Sequence, residues 1–339
     1  MTEPKRVGFR VNRLLTDRRE VEEALRREGV DFASVPWLPD AYTAGPEYRS
    51  RLVRSPLFAT WRICLQNVSS MAAVYVLDPQ PDEEVLDLAA APGGKTLLLA
   101  QRMQNRGRIA AVEVIRERLY KMRAVLKTGG AANVQAFWAD GRTIGRKTPQ
   151  RFDRVLLDAP CSGESRFHAD APVSFARWSP RKIAECSRKQ VGLLGSALAA
   201  AKVGGVVLYC TCSFAPEENE AVVDAVLRAW EEAVETEPIS LPVENIQPGL
   251  ACWGERAFHP AVAAAVRILP TPDMDGFFLC RLRKTAPAAE AGKHPERRAH
   301  PGPASRSHQH ARPRHRSPRH PGPKHFGRRN RLPPDDGGE

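Results

Sequence analysis

The fold is decided by residues 85–96, which read Val85-Leu86-Asp87-Leu88-Ala89-Ala90-Ala91-Pro92-Gly93-Gly94-Lys95-Thr96. A short apolar run ends in an acidic residue, a loop of small residues follows, and residues 96–103 have the pattern of a helix, so the stretch predicts a strand–loop–helix unit. Such a unit directs backbone N–H groups and a helix N-terminus at a ligand. Two ligands remain open at this point. The loop differs at Ala89 from the phosphate-binding pattern G-x-x-x-x-G-K-[ST], and it equally suits a methyl-donor nucleoside.

Composition points to a nucleic-acid partner. The 339 residues are 42% hydrophobic, carry a formal net charge of +12 and have a pI of about 9.7, which predicts one large domain, one small domain and a polyanionic ligand. We expect no membrane association, because no apolar run approaches the length of a membrane-spanning helix. The seven cysteines lack metal-ligand spacing, and the N-terminus has no apolar signal core. We therefore expect a cytoplasmic, monomeric protein with reduced thiols and no metal.

Residues 1–60 predict a small α/β module and a connector. Residues 7–12 alternate like a strand, and a helix begins after Asp17, with Glu20 in a capping-box position, and ends at Gly29. The module is rich in arginine, which leaves two interpretations open: a solvated helix face or an RNA-guiding surface.

Residues 61–284 alternate between strands and helices. The pattern predicts strands at 85–87, 109–114, 134–138, 152–157 and 206–209, helices at 96–103, 116–127, 179–204 and 216–230, and a late antiparallel edge strand at 276–280. This order is typical of an α/β fold with a doubly wound, mostly parallel sheet that binds ligands at the carboxyl ends of its strands.

Residues 285–339 have a different composition. They contain ten prolines and seven histidines, and twelve Lys or Arg against five Asp or Glu. With so few apolar side chains the segment cannot offset the entropy lost on folding, so we predict a disordered basic tail. RNA tethering and simple solubilisation are both open as its role.

Candidate functional groups follow the predicted strands. Glu113 ends the second strand about 20 residues after the glycines, where a carboxylate can accept both hydroxyls of a ribose. Asp140 ends the third strand and Asp158 the fourth. In a phosphate-loop enzyme Asp158 would hold a metal ion.

Two cysteines lie in loops after adjacent strands. Cys161 follows Asp158 in Asp158-Ala159-Pro160-Cys161-Ser162-Gly163, and Cys212 follows the fifth strand in Thr211-Cys212-Ser213. A thiolate that adds to C6 of a pyrimidine makes C5 nucleophilic enough to accept a methyl group, which is a form of covalent catalysis. Asp158 would then hold the ring nitrogen N3 and the exocyclic amine.

Residues 87–96, 158–163 and 211–213 resemble the three signature motifs of the RsmB/Nop/Sun family of RNA cytosine-5 methyltransferases. The similarity extends from about Phe9 to Lys284. It implies a Rossmann-like class I methyltransferase domain preceded by a small RNA-binding domain, S-adenosylmethionine as methyl donor, and rRNA or tRNA as substrate. By resemblance Cys212 is the nucleophile on C6 and Cys161 assists product release. The donor-binding residues implied are Ala89, Ala90, Ala91, Pro92, Gly93, Gly94, Lys95, Glu113, Asp140 and Asp158.

The chain departs from the usual family residues at five positions. They are Asn67 and Glu113, where the family commonly has Asp, Ala89 (Cys), Ser165 (Gly) and Cys210 (Ser).

Taken together, the motifs predict an S-adenosylmethionine-dependent RNA cytosine-5 methyltransferase. Trp138, Trp178 and Phe167 are candidates to stack on the target base once it has left its helix. A phosphate-loop NTPase and a non-catalytic RNA-binding assembly factor are the alternatives.

Overall fold

The computed structural model describes residues 4–167, 172–176 and 178–287 of the chain. All of the described residues fall in a single compact unit. The predicted disordered tail lies outside the described residues from residue 288 onward.

A small antiparallel sheet forms the N-terminal part of this unit. Its strand order is β2-β3-β1-β4, and its core includes Phe9 stacked on Tyr42 with ring centroids 5.3 Å apart. The elements are β1 (Val7–Val11), α1 (Arg18–Arg27), β2 (Phe32–Ser34), β3 (Ala41–Ala44), α2 (Arg49–Arg54), α3 (Pro56–Ala59) and β4 (Ile63–Leu65). Because β4 pairs with β1, the small sheet continues past residue 60, where the sequence placed the end of the module.

Helix α1 begins where its sequence predicts and carries balanced charge. The Asp17 side chain accepts a hydrogen bond from the Glu20 N–H, and Val21 and Leu25 are buried. The Glu20 carboxylate binds Thr16 and Arg62, so the second half of the capping box is not formed. Three arginines pair with glutamates on the helix itself: Arg18 with Glu22, Arg19 with Glu23 and Arg26 with Glu22. This pairing favours the interpretation of α1 as a solvated face.

The main sheet supplies the scaffold of the functional site. Its strand order is β11-β14-β15-β9-β8-β5-β6-β7, with β10 also paired to β15. The elements are α4 (Val68–Leu77), β5 (Glu84–Asp87), α5 (Gly94–Arg102), β6 (Arg108–Glu113), α6 (Arg116–Thr128), β7 (Val134–Trp138), α7 (Ile144–Lys147), β8 (Phe152–Asp158), α8 (Pro180–Ala200), β9 (Ala201–Thr211), α9 (Glu220–Trp230), β10 (Val234–Glu237), β11 (Ile246–Pro248), β12 (Cys252–Trp253), β13 (Arg256–Ala257), β14 (Val266–Ile268) and β15 (Phe277–Lys284).

The pairing confirms the predicted α/β class and its mostly parallel centre. Strands β9, β8, β5, β6 and β7 are mutually parallel, so their carboxyl ends share one edge of the sheet. Strand β15 is antiparallel to β9, as predicted. Its other side is covered by β14 and β10, so β15 is internal to the sheet instead of an edge. Among the described helices, none combines the length and apolar character needed to cross a bilayer.

Two predicted helix boundaries were wrong, for identifiable reasons. Helix α8 ends at Ala200 instead of at the glycine pair, because Ala201 already pairs with Phe152 and the glycines lie within β9. Helix α9 begins at Glu220 instead of Pro216. The polar side chains of residues 218 and 219 bind neighbouring loops, and residues 216–219 form turns.

Candidate functional site

The loop of residues 89–95, called the donor loop below, connects β5 to α5. Its backbone is pinned by hydrogen bonds from the Ala90 N–H to the Val112 carbonyl (2.9 Å) and from the Gly93 N–H to the Ala90 carbonyl (2.8 Å). Gly93 has φ +104°, a conformation that disfavours other residues. A Cβ built on Gly94 meets no atom within 4 Å. The N-terminus of α5 therefore faces open space that is large enough for a ligand to approach the backbone.

Lys95 pairs with Asp158 at the end of the neighbouring strand β8. Its Nζ lies 2.8 Å from Asp158 Oδ2, its side chain is only 13% exposed, and it lies over the Phe277 ring. Burial alone would lower the pKa of Lys95, but the charges of Asp158 and other acidic groups outweigh burial and raise it. Lys95 therefore positions Asp158 and is not a free cation for a phosphate.

Asp87 ends β5 beneath the donor loop. One carboxylate oxygen accepts a hydrogen bond from the Thr96 hydroxyl at 2.7 Å, while Oδ1 is buried without a partner among the described residues. Burial raises the pKa of Asp87 to about 7, against the hydrogen bond from Thr96 that favours the charged form. Asp87 is thus a buried acid with one acceptor atom unused.

Glu113 and Asp140 lie at the ends of β6 and β7, where the sequence predicts them. Glu113 is buried; Oε1 accepts a hydrogen bond from the Ile115 N–H at 2.8 Å, and Oε2 lies 3.5 Å from Arg118. Asp140 binds the Arg142 guanidinium through both oxygens, and this hydrogen bonding lowers its pKa. Both carboxylates border the donor loop's edge of the sheet.

The two predicted cysteines meet at the ends of β8 and β9. Cys161 Sγ and Cys212 Sγ are 3.3 Å apart, within hydrogen-bonding distance for sulfur. The hydrogen bond to Cys212, followed by burial, raises the pKa of Cys161 well above that of an ordinary thiol. A pKa raised in this way favours the neutral thiol form of Cys161. We call these two side chains and their loops, residues 159–165 and 212–215, the cysteine pocket.

A buried carboxylate that sequence reasoning did not select joins both loops of this pocket. Glu218 is fully buried. Its Oε2 accepts hydrogen bonds from the Ser162 N–H (3.0 Å) and from Gln190 Nε2 (2.9 Å), and its Oε1 accepts one from the Ser213 hydroxyl (3.1 Å). The Tyr209 hydroxyl binds the Glu218 carbonyl at 2.5 Å. The only signal in the sequence was an acidic helix start, which the dipole explained equally well.

Glu164 is a second glutamate that the sequence did not single out, and it binds the loop that follows Cys212. Glu164 Oε2 accepts hydrogen bonds from the Ser213 hydroxyl and the Phe214 N–H, and Oε1 accepts one from the Trp178 indole at 2.7 Å. This places the predicted stacking candidate Trp178 beside the Cys212 loop. Phe167, another stacking candidate, contacts a neighbouring aromatic ring.

Trp138, the third stacking candidate, is not brought to the cysteine pocket. It ends β7, four strands away from β9 in the sheet order, or roughly 19 Å at ordinary strand spacing. It cannot stack on a base that contacts Cys212.

Three departures from the family pattern retain their contacts. Asn67 caps α4 by accepting a hydrogen bond from the Ser69 N–H, and it also accepts one from the Asp275 N–H, which a carboxylate could do equally. The Cys210 thiol donates to Asp158 Oδ1 at 3.7 Å, as a serine hydroxyl could. The Ser165 N–H donates to the Cys212 carbonyl, although the Ser165 hydroxyl is buried without a partner among the described residues.

Comparison with known proteins gives a family and several relatives for this chain. The family model described as 16S rRNA methyltransferase RsmB/F matches residues 74–283. The human 28S rRNA (cytosine(4447)-C(5))-methyltransferase is 37% identical over 286 residues, which are 83% of this chain and 34% of that protein. The tRNA (cytosine(49)-C(5))-methyltransferase of Pyrococcus abyssi is 35% identical over 283 residues, 83% of this chain and 89% of the relative.

A solved methyltransferase homologue from Pyrococcus horikoshii has the same fold. It superposes with a TM-score of 0.72 at 35% identity, and the match covers 83% of this chain and 87% of the homologue. The chain spans about a third of the mammalian relatives' length and about three fifths of the bacterial small-subunit relatives' length. With the family match over most of the catalytic domain and the identity to these relatives, the chain belongs to the RsmB/F methyltransferase family.

Proposed function

We propose that this chain transfers a methyl group from S-adenosylmethionine to C5 of a cytosine in rRNA or tRNA. Cys212 forms a covalent bond to C6 of the base, and Cys161 assists release of the methylated product. A cytoplasmic location and a monomeric state are part of the same proposal. The observation that carries it is the 3.3 Å separation of the two sulfurs beside the donor loop.

The donor loop fits a nucleoside-based methyl donor. The open space over Gly94 admits the ligand, and Glu113, with one oxygen held by the Ile115 N–H, keeps acceptor positions for two ribose hydroxyls. The donor supplies the methyl carbon as an electrophile. The chain's own residues supply the nucleophile, the positioning of the base and the handling of protons.

The roles of the two cysteines are those that the family resemblance implies, and the 3.3 Å between their sulfurs supports them. The Cys212 thiolate adds to C6 and moves the electron pair of the double bond onto C5, which then takes the methyl carbon. Asp158, held by Lys95 at 2.8 Å, accepts hydrogen bonds from the base and shares a proton with N3. Water takes the C5 proton, the electron pair of that C–H bond re-forms the C5–C6 double bond, and the electron pair of the C6–S bond leaves with Cys212 as its thiolate. The Cys161 thiol, which keeps its proton, donates a hydrogen bond to the departing Cys212 sulfur.

The phosphate-loop alternative is not supported by the site. Lys95 would have to reach the phosphates and Asp158 a metal ion, but the two side chains are paired with each other and buried from solvent on the lysine side. The scaffold alternative leaves the proximity of the two sulfurs without a role.

The proposed function is tested by trapping the intermediate. Wild type, Cys161→Ala, Cys212→Ala and the exposed-cysteine control Cys252→Ala are incubated with S-adenosylmethionine and total RNA and run on denaturing gels. We expect an RNA–protein adduct to accumulate only in Cys161→Ala, because product release is slowed after methyl transfer. Methyl transfer disappears in Cys212→Ala and persists in Cys252→Ala.

Two results would contradict specific parts of the proposal. Methylation by Cys212→Ala at the wild-type rate excludes that residue as nucleophile and favours another attacking group. Function of Cys212→Ala in ribosome assembly without methylation supports the scaffold alternative. Sequencing the RNA in the trapped adduct identifies the methylated position.

A further inference from the structure

The sheet edge beyond the donor loop carries an exposed aromatic and basic surface. Trp138 at the end of β7 is 60% exposed and Tyr120 on α6 is 55% exposed. The Arg116 guanidinium lies 5.1 Å from the centre of the Trp138 ring and 6.0 Å from that of Tyr120. These distances are in the cation–π range, so the three side chains form one unit, which we call the Trp138 stack.

Hydrogen bonds fix the orientation of the Trp138 stack. The Trp138 indole N–H donates to the Val114 carbonyl at 2.9 Å, and Arg116 Nε donates to the Tyr120 hydroxyl at 3.3 Å. The Trp138 indole N–H and Arg116 Nε are therefore satisfied within the protein, while much of the aromatic surface remains in solvent. An ordered, exposed ring of this kind binds a flat ligand at little cost in conformational entropy.

The charge around the stack is strongly positive. Residues 114–148 contain eight Lys or Arg and two Asp or Glu. One of the two acids, Asp140, is already paired with Arg142, and among the described residues no carboxylate forms an ion pair with Arg116. Helix α1 differs, because three of its four arginines pair with glutamates on the same helix. The surface around the Trp138 stack is therefore the better match for a polyanion.

The stack lies at the same sheet edge as the cysteine pocket but at a distance from it. Strands β7, β6, β5, β8 and β9 are neighbours in that order, so roughly 14 to 19 Å separate the stack from the ends of β8 and β9. One RNA strand can reach both places at once. The base at the stack and the base at Cys212 must then be different nucleotides.

We propose that the Trp138 stack binds an unpaired base of the substrate RNA, several nucleotides from the cytosine that reaches Cys212, while the basic residues of segment 114–148 bind the connecting phosphates. This inference rests on the proposed function in that it takes RNA as the substrate. Stacking on aromatic and guanidinium planes beside a basic track is how single-stranded nucleic acid is bound without strict sequence preference.

The test measures RNA binding without catalysis. Fluorescence polarisation of the full chain is recorded with a labelled, mixed-sequence single-stranded RNA that contains no cytosine, so that neither cysteine takes part. We expect Trp138→Ala to weaken binding roughly 5- to 100-fold, as loss of one base stack does. Trp138→Phe retains a ring and should retain most of the affinity, and thermal melts check that each variant is folded.

A matched pair of arginines tests the contribution of position. Arg116→Ala and Arg108→Ala remove the same charge from exposed residues, but Arg108 begins β6 at the opposite edge of the sheet. We expect Arg116→Ala to weaken binding of the cytosine-free RNA more than Arg108→Ala does. Equal effects would show that only net charge matters and would overturn the stacking proposal.

The remaining measurements distinguish RNA binding by the Trp138 stack from donor binding and from self-association of the chain. Calorimetry with S-adenosylmethionine should give the same dissociation constant for wild type and Trp138→Ala. If donor binding falls and RNA binding does not, the stack belongs to the donor site and the proposal is wrong. If only sedimentation changes, the surface joins two copies of the chain and the proposal is again wrong. Failure of wild type to methylate RNA would count against the proposed function but leaves this binding test readable.

Discussion

The donor loop and the cysteine pocket lie at one sheet edge but are held in place by different means. The donor loop is shaped by its own backbone, through the hydrogen bonds of Ala90 and Gly93 and the positive φ of Gly93. The cysteine pocket is shaped by side chains from other elements, with Glu218 and Gln190 connecting the loops after β8 and β9. A loop that its own backbone stabilises can be recognised from a short sequence motif. A network of side chains from distant parts of the chain has almost no recognisable motif.

The largest expected effect is on the side-chain network. Glu218→Ala removes the acceptor of the Ser162 N–H and of one Gln190 amide hydrogen, while the Gln190 amide keeps its bond to the Pro160 carbonyl. Each lost acceptor costs about 1–3 kcal/mol, and the two cysteine loops lose their connection through Glu218. Displacement of reacting groups by about 1 Å typically costs 10²-fold in rate. We expect the single-turnover rate of methyl transfer to fall at least roughly 100-fold while the dissociation constant for S-adenosylmethionine stays within about twofold.

Neighbouring glutamates provide the control for that prediction. Glu217 is exposed and binds only the Trp253 indole at the surface, so Glu217→Ala should leave the rate unchanged. A second measurement separates positioning from general instability. The pH profile of iodoacetamide alkylation of Cys161 should shift to lower pH in Glu218→Gln, because the charge of Glu218 adds to the rise in the pKa of Cys161 that the hydrogen bond to Cys212 and burial cause. If that profile is unchanged in a folded Glu218→Gln, the proposed positioning role is incorrect.

The next largest effect is a pH dependence that originates beneath the donor loop. The pKa of Asp87 is about 7 in the folded chain, compared with 3.8 for an unperturbed carboxyl group. The folded state therefore binds more protons than the unfolded state between about pH 4 and pH 7, and the contribution of Asp87 to the free energy of unfolding falls as the pH rises through that window. The full difference is roughly 4 kcal/mol by linkage.

Asp87→Asn isolates this contribution. The amide oxygen can still accept the Thr96 hydrogen bond, but the group no longer titrates. Urea unfolding of the donor-free protein should show that the stability of the variant relative to wild type increases from pH 4 to pH 7 and then levels off. A constant difference across this range would mean that Asp87 is charged in the folded chain.

The contrast between the two regions explains what the sequence could and could not predict. Repeated strand–helix alternation and small-residue turns identified the parallel strands, and strand β7 was predicted with its observed bounds. The strand pattern identified Asp158 and the two cysteines because Asp158 ends β8, Cys161 lies in the loop that follows it, and Cys212 directly follows β9. Glu218 was missed because its function depends on Ser162 and Gln190, 56 and 28 residues away along the chain.

Charge was also hard to read from composition. The arginines of α1 suggested an RNA-guiding surface, but pairing within the helix neutralises most of them. The basic residues of 114–148 drew no attention in the sequence because they are spread over α6, α7 and the turn before α7. Only the folded chain shows which cations lack a carboxylate nearby, since that depends on side-chain contacts.

Substitution of two adjacent glycines in the donor loop should have smaller effects and tests the two glycines separately. Gly93→Ala must adopt φ near +104° with its Cβ 3.1 Å from Met122, which should reduce the free energy of unfolding by about 1–3 kcal/mol. Gly94→Ala meets no atom and should leave the stability nearly unchanged, but its Cβ enters the space proposed for the methyl donor. We expect calorimetry to show weaker S-adenosylmethionine binding for Gly94→Ala. Unchanged binding would move the donor away from Gly94.

The smallest expected effect concerns helix α1, which contributes no residue to the donor loop or to the cysteine pocket. Arg19 is 89% exposed and pairs with Glu23 at 2.9 Å one turn away, and an exposed pair of this kind contributes only about 0.3–0.5 kcal/mol. Arg19→Ala should therefore change neither the urea midpoint nor the affinity for cytosine-free RNA beyond experimental error. A clear loss of RNA affinity in Arg19→Ala would show that RNA competes with Glu23 for this arginine, and that α1 guides the substrate even though its charges are paired in the free protein.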